Sequence, residues 1–278
     1  MKRLRINAFA DEASSQLDRQ IEAMRRNGLD GLEIRGVDGQ NITDITLDKA
    51  REVRRKMDDA GLTVWSVGSP IGKISIDSEA FEEHLDKLRH TLVLADILGA
   101  RNMRIFSFYV PEGKAAEYRS QVMDRLGRML QIAENSGIAM CHENEKGIYG
   151  DMADRCFDLL ETFPQMEGIF DPANFVQCGQ DTAEAWKLLK HRIKYLHIKD
   201  ALEDGRVVPA GQGKGNVKMI LDEFRSLGGD AATVEPHLSV FDGLQDLEQA
   251  GNRSRVEYSY SSSDEAFDAA CAALKALI

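Results

Sequence analysis

The chain is short of positive charge: 35 Lys and Arg stand against 46 Asp and Glu, a formal net charge of −11 over 278 residues. Nucleic-acid binding rests on clustered Lys and Arg that neutralise phosphates, so DNA and RNA are not expected partners. Cysteine is also scarce. Cys141, Cys156, Cys178 and Cys271 form no C-x-x-C pair, which leaves no thiolate metal motif and no disulfide framework, only reduced thiols expected in the interior. No apolar run approaches the roughly 18 residues of a membrane span, and Met1-Lys2-Arg3-Leu4-Arg5 lacks the apolar stretch of a signal peptide. A cytoplasmic protein without membrane contact is the expectation. No Pro- or Ser-rich linker divides the chain, and 43% hydrophobic with 29% charged residues suffice for a sizeable core and a solvated surface. One globular domain, residues 1–278, is expected.

What is present is a regular alternation of short β-type apolar runs with longer segments of helical period. Eight strands are predicted, at residues 4–10, 31–35, 63–68, 102–107, 138–143, 168–171, 193–199 and 232–235, with a closing helix over 264–278. Gly28, Gly61, Gly99 and Gly137 stand one to three residues before the next strand, where helix C-caps belong. A polar stretch at 252–263 reads as a late loop. An open doubly wound sheet wants a glycine-rich turn after its first strand, and the chain has Phe9-Ala10-Asp11-Glu12 there. The fold class predicted is therefore α/β, a single (β/α)₈ TIM barrel.

Such barrels build their sites at the C-terminal ends of strands. Strand five ends in Glu143, six in Asp171, seven in His197 and eight in Glu235. Carboxylates gathered at one mouth are costly without a cation, so these acids imply one divalent metal, with His197 completing the ligands. Three oxygens and a nitrogen suit Mn²⁺, the first choice, and equally Mg²⁺, Co²⁺ or Zn²⁺.

With these residues in place, the chain resembles the xylose isomerase-like TIM barrels, which include ketose 3-epimerases and inosose dehydratases. The resemblance spans nearly the whole chain and is strongest at the four strand ends, the His197-Ile198-Lys199-Asp200 run and the glycines Gly211, Gly213 and Gly215. It implies that Glu143, Asp171, His197 and Glu235 bind the metal and that Glu143 and Glu235 double as the acid/base pair. It implies a sugar isomerase or epimerase acting on a small sugar-like substrate, with dehydration as an alternative, and a homodimer or homotetramer. One departure stands out: many members carry His three residues after the strand-six Asp, and this chain has Asn174.

Other strand-end residues are candidates for the substrate pocket: Glu33 and Arg35, Ser69 and Lys73, Arg104, Glu145, Asn174, Lys199 and His237, with Phe9, Glu12 and Ser107 nearby. The basic ones either bind a substrate carboxylate or phosphate or pair with neighbouring acids. Lys199 and Asp200 are expected to orient His197 or the carboxylates. His142 should point away from Glu143, under the helices; His84, His90 and His191 fall on or near helices as packing or surface residues. The run Gly211-Gln212-Gly213-Lys214-Gly215 matches no phosphate-loop pattern and is expected to be a flexible lid. Two rival functions are weighed. An apurinic-site endonuclease-like nuclease needs more histidines for its three zinc ions than this mouth supplies, and a non-catalytic binding barrel would have no use for an intact ligand set.

Overall fold

A computed structural model describes residues 2–239, 255–256 and 260–278. Eight parallel strands close into a barrel: β1 (Arg5–Ala8), β2 (Gly31–Ile34), β3 (Thr63–Val67), β4 (Asn102–Ile105), β5 (Ala139–Glu143), β6 (Glu167–Phe170), β7 (Ile193–Ile198) and β8 (Ala231–Val234). Each pairs with its neighbours in sequence, and β1 closes the ring on β8 from Arg5↔Ala231 to Ala8↔Val234. All eight fall where the sequence places them, within a few residues. The four cap glycines have left-handed φ between +56° and +73°, a conformation that only glycine adopts without strain.

Nine helices are described around the ring: α1 (Leu17–Arg26), α2 (Leu47–Asp59), α3 (Phe81–Leu98), α4 (Ala115–Ala133), α5 (Ala153–Thr162), α6 (Pro172–Gln177), α7 (Thr182–Leu189), α8 (Val217–Ser226) and α9 (Ser263–Leu277). Each turns an apolar stripe to the strands; in α1, Leu17, Ala23 and Met24 are buried at helical spacing. The closing helix α9 is tied to α1 by Arg26, which pairs with both Asp268 and Asp264. The predicted late polar loop at 252–263 lies largely outside the described residues.

The described residues form two cores. The larger lies between strands and helices, while a small one inside the barrel consists of Cys141, Ile169, Tyr195 and Ala231 with Trp65 and Ala139 against it. This plug fills the lower barrel. Strand alternation then lifts the next inward residues, two positions on, to the top: Glu143 above Cys141, Asp171 above Ile169 and His197 above Tyr195.

Candidate metal centre

Glu143, Asp171, His197 and Glu235 converge at the C-terminal mouth, each offering one donor atom within 4.8 Å of the others, and all four are buried. Donors sharing one ion at about 2.0–2.2 Å lie at most about 4.4 Å apart, so a contraction of a few tenths of an ångström at most would let all four hold a single ion. Asp171 is held most firmly. Its Oδ1 caps α6 by accepting from the Asn174 amide N at 2.9 Å. Its own backbone exchanges two hydrogen bonds with the Asn144 side chain, both 2.9 Å, and Asn174 Nδ2 donates to the Asn144 carbonyl at 2.9 Å. Only Oδ2 remains. It is buried without a hydrogen bond, at ion-pair distance (2.9 Å) from Lys199 Nζ, as a single-oxygen metal ligand would be.

His197 is oriented by the carboxylates on either side of it. Nε2 meets Glu33 Oε2 at 3.1 Å, and Nδ1 faces Glu143 Oε1 at 2.7 Å and Glu235 Oε2 at 3.5 Å. Glu33 is in turn fixed by Tyr195 Oη, which donates at 2.7 Å, and by Ser66 Oγ at 3.2 Å. A carboxylate that accepts a hydrogen bond from Nε2–H leaves Nδ1 for a cation, the usual support of a metal-binding histidine. Burial alone would push the imidazole down, but Glu143 and Glu33 hold it up at about 10. The same field attracts any cation at Nδ1.

Cations interleave the acids. Arg104 Nη1 reaches Glu143 Oε2 at 3.1 Å and Glu235 Oε1 at 4.0 Å; Lys199 bridges Asp171 and Glu235 at 2.9 and 3.1 Å. Arg35 forms a fork on Asp11 and also meets Glu12 at 3.0 Å and Glu235 at 3.4 Å. The buried Phe9 ring lies between the two guanidiniums, 4.5 Å from that of Arg35 and 4.9 Å from that of Arg104, with an edge contact to His197. Burial would raise the Glu235 carboxyl, yet Lys199 and the other positive neighbours hold it well below the usual range. At Asp171 burial outweighs Lys199 and the shift is upward. Burial likewise pushes Glu12 up to about 8, against Arg35.

Several expected pocket residues have other work. Glu33 lies below the mouth as the partner of His197 and Tyr195. Ser69 Oγ is spent on the Arg104 carbonyl at 2.5 Å. Asn174 supports Asp171, although its Oδ1 is buried without a partner. Lys73 pairs with Glu145 at 2.9 Å, and Lys73 holds that carboxyl down at about 2 against burial. Arg35 and Arg104 pair with site acids. His237 has left-handed φ (+44°); its amide donates to Glu12 Oε2 at 2.6 Å, and its ring lies 3.5 Å from Glu235. The expected lid is corrected: the amides of Gly211, Gly213 and Gly215 all donate to the Asp200 carboxylate at 2.8–3.0 Å, so the loop is anchored. Asp200 thus holds this loop instead of orienting His197. His142 points away as expected, to Ser107 Oγ at 2.9 Å, and His84 accepts from the Gly72 amide at 2.7 Å.

Sequence reasoning missed Asp11, Asn144, Lys146 and Tyr195. Tyr195 was within reach, since it precedes His197 by two on one strand and must sit one layer below it. Asn144 and Lys146 lie past the strand, where alternation gives no direction.

Comparison with known proteins agrees with the barrel fold. A curated relative, the uncharacterized protein YihM of Escherichia coli, is 24% identical over 260 residues, covering 87% of this chain and 73% of its own. Among solved structures, the IolI protein with a bound zinc atom superposes with TM-score 0.76 at 18% identity, covering 99% and 98% of the two chains. D-allulose 3-epimerase from Methylomonas sp. gives 0.74 at 16% identity, covering 100% and 99%. These likenesses establish the shared fold. The family model for xylose isomerase-like TIM barrels matches residues 21–251, and on that match the chain belongs to the xylose isomerase-like TIM barrel family.

Proposed function

We propose that the protein is a divalent-metal-dependent sugar isomerase or epimerase in which Glu143 and Glu235 move the proton. The carrying observation is that these two glutamates, from strands three apart on the ring, both reach His197 Nδ1, at 2.7 and 3.5 Å. They therefore flank one small volume. Mn²⁺ is the first choice of ion, and bound there it would stabilise the negative charge that develops on substrate oxygens when a C–H beside a carbonyl is deprotonated.

The chain's own residues supply the rest. One glutamate takes the proton and the other returns one from the opposite side, which inverts the centre; return to the adjacent carbon gives isomerisation. Arg104, in reach of both carboxylates, fixes their rotamers. Lys199 contributes a donor beside Asp171 and Glu235 for a substrate oxygen, and His237 and Arg35 border the same space. The Asn144–Asn174 brace, in place of a strand-six histidine, favours this reading over a multi-zinc nuclease. The test is turnover of a ketose and cyclitol panel with Mn²⁺ in D₂O. Deuterium at the carbon that changes is expected; product formed over many turnovers with no solvent deuterium overturns the two-carboxylate mechanism.

A further inference from the structure

Among the described residues, five lysine and arginine side chains border the mouth, and four of them have carboxylate partners: Arg35 on Asp11 and Glu12, Lys73 on Glu145, Arg104 on Glu143, and Lys199 on Asp171 and Glu235. The fifth is Lys146, on the loop after β5. Its Nζ is held by a neutral acceptor, Gln177 Oε1, at 2.7 Å, and it makes no ion pair among the described residues. Gln177, the last residue of α6, is itself fixed by donating from Nε2 to the Gly205 carbonyl at 2.8 Å in the loop after β7. Three rim segments thus position one half-buried ammonium that has no carboxylate at ion-pair distance among the described residues.

The place of this ammonium follows from its neighbours. Lys146 stands three residues past Glu143 on the loop after β5, and its hydrogen-bonded partners stand six residues past Asp171 (Gln177) and eight past His197 (Gly205). An ammonium held among the segments that follow β5, β6 and β7 stands at the rim of the same opening. A glutamine amide is a poor final partner for an ammonium in a site otherwise rich in carboxylates; an anionic oxygen makes a stronger, charge-assisted hydrogen bond. An anion elsewhere on the mouth would meet the carboxylates already paired there.

We propose that Lys146, set by Gln177, is an anion subsite at the rim, and that the substrate is a sugar derivative carrying a carboxylate or phosphate at the end remote from the metal centre. This rests on the sugar isomerase or epimerase reading above and narrows its substrate class.

The test is calorimetric titration of the Mn²⁺-loaded full chain with three probes that differ only at C6: D-fructose, D-fructuronate and D-fructose 6-phosphate. At low salt, one or both anionic probes should bind at least about tenfold more tightly than fructose, the size of one charge-assisted hydrogen bond. Which one is favoured tells carboxylate from phosphate. The preference should shrink with added salt, collapse toward unity in Lys146→Gln and survive in Lys146→Arg. If the three probes bind equally, or if Lys146→Gln keeps the preference, the subsite is wrong while the sugar reading stands. If none binds to metal-loaded protein, both fall together.

Discussion

Glu143 and Glu235 are each assigned two tasks, holding a cation and moving a proton, and the two can be separated experimentally. Glutamine keeps an oxygen donor but gives up the basicity. Glu143→Gln and Glu235→Gln are therefore expected to lose at least about 10²-fold in kcat when tested metal-replete, the usual contribution of a general acid or base. Metal content by elemental analysis on the same samples separates lost chemistry from lost metal; a replete variant with near-normal turnover would remove that glutamate from the proton path. Tyr195 and Glu33 act one layer deeper. Because Tyr195 donates to Glu33, which fixes His197, Tyr195→Phe should weaken Mn²⁺ binding by about tenfold, and Glu33→Gln by more, toward 100-fold. Titration of the apo-protein with Mn²⁺ measures this without substrate, and unchanged affinity in both variants would refute the support role.

At the scale of elements, the strands and the strand ends that bring Glu143, Asp171, His197 and Glu235 together were legible in the sequence because a parallel barrel imposes strict rules. Buried strands read as short apolar runs, helices end at glycines, and inward residues recur every second position up to the mouth. That is why Glu143, Asp171, His197 and Glu235 could be picked by position. Past the strand ends these periods stop, and the reading fails in step. Asn144 and Asn174 form a brace that depends on two loops meeting, and Gly211–Gly215 looks flexible in sequence because glycine permits both motion and close approach. Here the reason is close approach: a Cβ on Gly213 would lie 2.3 Å from Asp200 Oδ1 and 2.4 Å from the Ala201 carbonyl. Gly213→Ala should accordingly lose about 1–3 kcal/mol of stability, within the range for overpacking, and speed amide exchange across the loop. Wild-type exchange at Gly211, Gly213 and Gly215 should be slow even without ligand; fast exchange there would restore the lid.

For the whole molecule, stability should depend on pH through histidines that the barrel buries uncharged. His84, a hydrogen-bond acceptor for the Gly72 amide, is pushed down to about 4 by burial and by Lys87 and Arg125. His142, against Ser107 Oγ, is pushed by burial to about 3. In the unfolded chain both return to about 6.5. Between pH 6.5 and 4 the unfolded state therefore binds protons that the native state refuses, so stability is greatest above pH 6.5 and falls as pH drops through this window. Each histidine contributes a slope of at most about 1.4 kcal/mol per pH unit, and His84 a total of roughly 3 kcal/mol by pH 4. Below about pH 4 its share is exhausted while that of His142 continues to about pH 3. Urea unfolding of wild type and His84→Gln at half-unit steps from pH 7.5 to 4 isolates the effect, because carboxylates contribute alike to both proteins. The variant is expected to start less stable at pH 7.5, having lost the Gly72 contact, yet to decline more shallowly, so that the two curves converge toward pH 4. Parallel curves would mean that His84 takes up its proton in the folded protein as readily as in the unfolded chain, which a ring buried between Lys87 and Arg125 and accepting an amide hydrogen should not do.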